Sequence, residues 1–286
     1  MNKMSYRTPR NAELVARAWG KSLEKDDWFK VSVADDGMPE IRIYDVIGWP
    51  FIDAESFLGE LDGIKAREAR MRINSPGGDV FDGTAIANAV AKHPTKFHVE
   101  IEGIAASMAS VIALAGETVS IADNAWFMIH NPWTFMLGDY NDLRKEADLL
   151  ERMSGVMAES YQKKSGNKIE DIKTWMDEET WFSGKEAVEA GFADNVTGEM
   201  GESAKFNTSL FGKTPDDIQR AAHNLNPSKR DAERSLRDVG FSHSEAKAIV
   251  AGIKSQRDVD ISVIGDLCDI EELKELISFN LKTLQE

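Results

Sequence analysis

Apolar and polar positions alternate in bursts along this chain. "WFKVSVADDGMPEIRIYDVIG" alternates on both sides of Asp36-Gly37, which predicts a β-hairpin. "DAESFLGELDGI" has apolar positions at helical spacing and predicts a helix capped by Asp53. "AREARMRINSPGGDV" reads as a short strand that ends at Asn74 in a glycine turn, and "DGTAIANAVAKHP" as a helix that stops before Pro94. "KFHVEIEGIA" is a strand in which His98 alternates with Glu100 and Glu102 and is expected to face solvent. "ETVSIADNAWFMIHNPW" gives two short strands around an Ala-Asp-Asn turn. The clearest helix is "DLRKEADLLERMSGVMAESYQKKSG", with Leu143, Ala147, Leu150, Met153, Met157 and Tyr161 on one stripe and Gly166 closing it. "GKEAVEAGFADNV" ends the repeating pattern near residue 200. Strands alternating with helices predict an α/β domain with parallel crossovers.

The pattern changes at both ends. The reading divides the chain into an N-terminal segment (1–29, with a short helix at Asn11–Trp19), a main domain (30–200), a linker (201–226) and a helical extension (227–286). The linker reading rests on the polar, Gly/Ser-containing run "TGEMGESAKFNTSLFGKTPDD". The extension carries two short helices around Gly240 and an amphipathic terminal helix, "DIEELKELISFNLKTLQE".

Composition narrows the function classes. The net charge of −15 argues against a grip on nucleic-acid phosphates. Cys268 is the single cysteine, so an internal disulfide is ruled out and a reducing, cytoplasmic setting is expected. The first residues lack the apolar run of a signal peptide, and no stretch is long and apolar enough for a membrane span. "FGKT" at 211–214 lacks the upstream glycine of a phosphate-binding loop, so no ATP-driven unfolding is expected of the chain itself. Histidines and carboxylates have no metal-ligand spacing, and no cofactor is expected.

Three elements carry candidate chemistry. The first is "GIAASMASVIALAG", where Ser107 follows a strand and opens a helix. The unpaired N–H groups of a helix start suit a developing oxyanion beside a nucleophile there. Taken alone, a small-residue helix with buried serines, here Ser107 and Ser110, is more often close packing. The second is "INSPGGDV", whose two glycines permit positive φ and leave backbone N–H groups uncovered. It reads as a plain turn, or as an oxyanion donor with a ledge for a peptide strand. The third is His130, which ends the strand "WFMI" and is fixed by Asn131-Pro132. Of the five histidines it is the one best positioned to be a base.

Together, "INSPGGDV", "GIAASMAS", "FMIHNP", the long charged helix and "ETWFSGKEAVEAGFADNV" resemble, in order and approximate spacing, the Clp protease proteolytic subunit family over roughly residues 30–198. The resemblance implies a ClpP/crotonase-type fold of stacked β-β-α units and a Ser-His-acid serine peptidase. It implies Ser107 as nucleophile, His130 as general base, and the N–H groups of Gly78 and Met108 as oxyanion donors. The family has an aspartate four residues before the serine of its "FLSA"-like motif. The same count back from Ser183 in "WFSG" lands on Glu179, with Asp177 as the rival third member. The family also implies a homo-oligomeric ring interlocked through the long helix.

The C-terminal extension resembles the ClpP-like head maturation proteases of tailed phages and prophages. That implies cleavage of scaffold or coat precursors, in the host cytoplasm or inside a procapsid. Two other readings stand beside it: a non-catalytic capsid scaffold or assembly protein with a ClpP-like body, and a crotonase-like acyl-CoA enzyme.

Overall fold

A computed structural model describes residues 31–134, 136, 138–198, 211–215 and 218. The chain divides into two units, residues 1–225 and 226–286, and every described residue belongs to the first. The helix expected at Asn11–Trp19, segment 1–29 and the helical extension 227–286 lie outside the described residues.

The expected hairpin forms from β1 (Val31–Val33) and β2 (Pro39–Ile43), paired antiparallel around Gly37 at φ 84°. Helix α1 (Ala54–Leu61) begins where Asp53 accepts a hydrogen bond from the Ser56 N–H, satisfying one of the free donors of the first turn. Strand β3 (Glu68–Ser75), helix α2 (Val80–Lys92) and strand β4 (Lys96–Ala106) follow. Asp79 caps α2 by accepting from the N–H groups of Phe81 and Asp82. Strand β3 runs one residue beyond the expected end.

The remaining elements are α3 (Met108–Ala113), β5 (Thr118–Ala122), β6 (Trp126–Ile129), α4 (Tyr140–Ser165), α5 (Ile169–Asp177), β7 (Thr180–Ser183), α6 (Gly184–Glu189) and β8 (Asn195–Thr197). Strands β2, β3, β4, β5 and β8 pair parallel in that order. Strand β4 is long enough to serve two neighbours on one edge. Its first half pairs with β5 and its last three residues with β6, both parallel. Strand β7 then pairs antiparallel with β6. The two short strands around the Ala-Asp-Asn turn are therefore neighbours in sequence whose registered partners lie on β4. The architecture is the mixed α/β one that the alternation predicts.

The inward positions of β2, β3 and β4 (Ile41, Ile43, Met71, Ile73, Val99, Ile101) are buried with Phe127, Tyr161 and Phe192 in one core. The other face of β3 and β4 is a ladder of charges. Arg70 pairs with Glu100 and Asp36, and Arg72 with Glu102. Glu102 is only 2% exposed. His98 is half-buried, its Nδ1 2.9 Å from Thr118 Oγ1. The expectation that His98 faces solvent therefore holds only in part, because the side chain of Thr118 on the neighbouring β5 lies against it.

Helix α4 has two different ends. Met157, Ala158 and Tyr161 are buried, while Leu143 is 49% and Val156 61% exposed. The apolar stripe is therefore covered by its own domain only toward the C-terminal end.

Candidate active site

Sheet pairing brings the candidate residues together. In the β4–β6 ladder Ala106 is opposite Met128, so Ser107 and His130 leave the C-terminal ends of adjacent parallel strands. In the β6–β7 ladder Ile129 is opposite Thr180, so the next step along each strand sets Glu179 beside His130.

Ser107 stands at the junction of β4 and α3 with φ 53° and ψ −125°. An L-residue pays a steric cost at positive φ, and such conformations persist only where the surroundings enforce them. The enforcing bonds are clear. The Ser107 N–H donates to the Met128 carbonyl at 3.0 Å. The Ser107 carbonyl accepts from the Ser110 N–H at 3.0 Å and from Ser110 Oγ at 2.5 Å. Ser110 Oγ is in turn 2.8 Å from the buried Tyr161 hydroxyl of α4. Burial raises the ionisation of this phenol well above its usual range, so the group is a neutral hydrogen-bonding partner.

His130 is 7% exposed, and its Nε2 lies 2.8 Å from Ser107 Oγ. Burial lowers its pKa below the ordinary histidine value, and the negative charge of Glu179 opposes that shift without cancelling it. The imidazole is thus held in its neutral, proton-accepting form across a wider range of pH than a free histidine.

The glycine turn sits against the serine. A Cβ on Gly77 would come within 2.7 Å of Ser107 Cβ and 2.8 Å of the Met108 nitrogen, so only glycine permits this approach. Gly78, at φ 147°, bridges to Ile47, and a Cβ there would collide with the Ile47 carbonyl oxygen. The bridging bonds run from the Ile47 N–H to Gly77 O (2.8 Å) and from the Asp79 N–H to Ile47 O (2.9 Å), and neither uses the Gly78 N–H. Met108 opens α3, where a helix leaves its first N–H groups without an internal acceptor.

The two candidate acids have different surroundings. Asp177 is exposed, and its Oδ1 accepts from Asn131 Nδ2 at 2.7 Å, while Ser154 Oγ donates to the other end of the same amide. Asp177 therefore fixes the residue after His130. Glu179 is half-buried at φ 51°, and its carboxylate accepts three N–H donors. These are Trp181 Nε1 (3.3 Å) and the backbone N–H groups of Gly212 (2.8 Å) and Lys213 (2.7 Å). Among the described residues no hydrogen bond joins Glu179 to His130. The last two donors, with Phe211 beside them, belong to the stretch read as a linker, and sequence reasoning missed them. The apolar pair Leu210-Phe211 in a polar run was the available signal. Sequence reasoning also missed the Tyr161–Ser110 pair.

A cavity of about 410 Å³ is lined by Asn131, Pro132, Leu150, Ser154, Lys173 and Asp177 among others. No group of three His, Cys, Asp or Glu side chains suited to a metal ion occurs among the described residues.

Residues 58–200 match the family model of the Clp protease. This chain belongs to the Clp protease family. It is 32% identical over 146 residues to the ATP-dependent Clp protease proteolytic subunit 3 of Rhodococcus jostii, covering 50% of this chain and 72% of that one. The proteolytic subunit 1 of Leifsonia xyli is 30% identical over 132 residues, covering 46% of this chain and 67% of its own. The proteolytic subunit 2 of Thermobifida fusca is 32% identical over 149 residues, with 50% and 73% covered. The Clp protease match ends at residue 200, so the Phe211–Lys213 stretch lies outside it.

Proposed function

We propose that this member of the Clp protease family is a serine endopeptidase acting through Ser107, His130 and Glu179. The observation that carries the reading is the 2.8 Å hydrogen bond between His130 Nε2 and Ser107 Oγ, beside a turn whose bonds to Ile47 do not use the Gly78 N–H. In the proposed reaction the Ser107 oxygen attacks a peptide carbonyl while its proton passes to His130 Nε2. The charge that develops on the carbonyl oxygen is received by the N–H groups of Gly78 and Met108. His130 then gives its proton to the leaving amine, and water resolves the acyl-enzyme by the same route in reverse. Glu179 stabilises the imidazolium by its charge. Asp177 is the less suitable acid, because its hydrogen bond goes to Asn131.

The substrates in this reading are proteins, and the working form is a homo-oligomeric ring. The exposed Leu143 and Val156 of α4 support self-association. The finer assignment is head maturation, the cleavage of scaffold or coat precursors in an assembling phage shell. Its support is the long stretch, residues 201–286, beyond the family match.

The test is labelling of the purified protein with a fluorophosphonate serine probe. Wild type should label and Ser107→Ala should not. A folded wild-type chain that neither labels nor cleaves an unstructured protein overturns the peptidase reading in favour of a non-catalytic assembly protein.

A further inference from the structure

The stretch at Phe211–Lys213 forms an additional wall of the site. Its contacts divide into two kinds. The consecutive N–H groups of Gly212 and Lys213 donate to Oε2 and Oε1 of Glu179, one to each oxygen. The Phe211 ring, 8% exposed, stands edge-on to His130 with centroids 5.8 Å apart, and edge-on to Trp181 at 5.5 Å. It shares a small apolar cluster with Ile104, Ala106 and Met128, directly behind Ser107 in the chain and the sheet.

We propose that residues 211–213 are a strap that positions Glu179 and covers His130, so that the catalytic site is complete only when the strap is docked. The proposal rests on the peptidase reading above. Glutamate has one more rotatable bond than aspartate, so its carboxylate needs more fixing to stay in one place. Two convergent backbone donors, with Trp181 Nε1 as a third, supply that fixing through charge-assisted hydrogen bonds. The apolar cover has a separate effect. An aromatic ring against the imidazole keeps water from it, which disfavours its charged form.

A strap that shut the site off would have to sit on the nucleophile or on the oxyanion donors. The contacts of Phe211, Gly212 and Lys213 fall instead on the acid, on the side of the base and on the apolar cluster. Beneath them the Ser107–His130 hydrogen bond remains at 2.8 Å. The geometry is that of a support rather than a plug. Phe211, Gly212 and Lys213 are positioning residues, acting through Glu179 and His130.

The test uses full-length protein and two readouts: the rate of fluorophosphonate labelling against pH, and the titration of His130 followed by NMR. Loss of labelling in Ser107→Ala establishes that the first readout reports this serine. The second needs no activity, so it separates failure of the strap from failure of the peptidase reading. Lys213→Pro removes one donor, whereas Lys213→Ala keeps it. The proline variant should label about tenfold more slowly than the alanine variant, as expected for one hydrogen bond to a charged group. Phe211→Ala should move the His130 midpoint upward by admitting water, and Phe211→Leu should move it back. Faster labelling in Lys213→Pro or Phe211→Ala means the strap blocks the site and overturns the proposal. Equal rates for the two Lys213 variants together with an unmoved His130 midpoint in Phe211→Ala also overturn it. Should Lys213→Pro fail to fold, the two Phe211 variants decide.

Discussion

Ser107 and Glu179 both take a positive φ, which other side chains avoid. Their φ values are 53° and 51°, and among the described residues they are the two non-glycine positions with positive φ. Each sits at the end of an element, Ser107 between β4 and α3 and Glu179 between α5 and β7. Local strain of this kind is of order 1–3 kcal/mol per residue and gathers where function over-determines the backbone. Glycine tolerates the Ser107 conformation and alanine does not. Ser107→Gly and Ser107→Ala both lose the hydroxyl, so comparing them isolates the backbone. The glycine variant should be the more stable by about 1 kcal/mol in denaturant titration. Equal midpoints would mean that the backbone relaxes once the hydroxyl is gone.

The base must be neutral to accept the serine proton, so labelling should speed up as pH rises through the His130 pKa. Burial depresses that pKa below its ordinary value, and Glu179 recovers only part of the shift. The midpoint of the rate–pH curve should therefore lie below about 6.5, the value of an unperturbed histidine. At pH 7 the rate should already be near its plateau. A midpoint clearly above 6.5 would require an imidazole whose charged form is favoured, contrary to its burial.

The acid is tested by two conservative changes made in parallel. Glu179→Gln removes the charge near His130 and turns an amide toward three N–H donors. It should lower kcat/KM by about a hundredfold or more, while Ser107→Ala costs several orders of magnitude beyond that. Asp177→Asn disturbs only the hydrogen bond to Asn131 and should stay within about tenfold of wild type. The reverse order of effects would assign the third role to Asp177.

Ser110 and Tyr161 form a buried pair behind the nucleophile. Tyr161→Phe leaves Ser110 still bonded to the Ser107 carbonyl, so it should cost about 1 kcal/mol of stability. Ser110→Ala leaves the phenol without its partner and should cost about 1–3 kcal/mol. The double variant should be less destabilised than the sum of the two, because both ends of the same bond are then absent. Strict additivity in thermal unfolding would show that the two hydroxyls are not coupled.

Self-association can be read from sedimentation. The exposed part of α4 carries Leu143, and Leu143→Glu should shift the wild-type oligomer toward smaller species at micromolar concentration without changing the unfolding temperature of the protomer. A wild-type chain that sediments as a monomer under the same conditions would remove the ring from the functional reading.

How far the sequence reveals this molecule depends on the range of the interaction concerned. The hairpin at Asp36-Gly37, the Asp53 cap and the Gly166 stop are local signals, and each is where the pattern sets it. Ser107 and His130 were legible for a related reason. A residue at the end of a strand is positioned by that strand, and β4 and β6 happen to be neighbours. The pairing of β5 and β6 with two halves of one strand was not legible, because a short turn does not reveal which partners its strands will find. The burial of Glu102 was not legible, because its ion pair with Arg72 joins residues thirty apart in sequence. The hydrogen bonds between Glu179 and residues 212–213 span a similar distance and leave only a short apolar trace in the pattern, Leu210-Phe211.

Chain order gives the hydrogen bonds to Glu179 a consequence in time. Ribosomes deliver the serine first, the histidine next and the acid after that. The backbone donors that hold the acid come last, on residues 212 and 213. At synthesis rates of about 5–20 residues per second, the interval between Ser107 and Lys213 is roughly 5–20 s. Throughout that interval a nascent chain carries the nucleophile and then the base, while the anchor of the third group is still untranslated. In the proposed site, the support of the acid is thus the last part to be made.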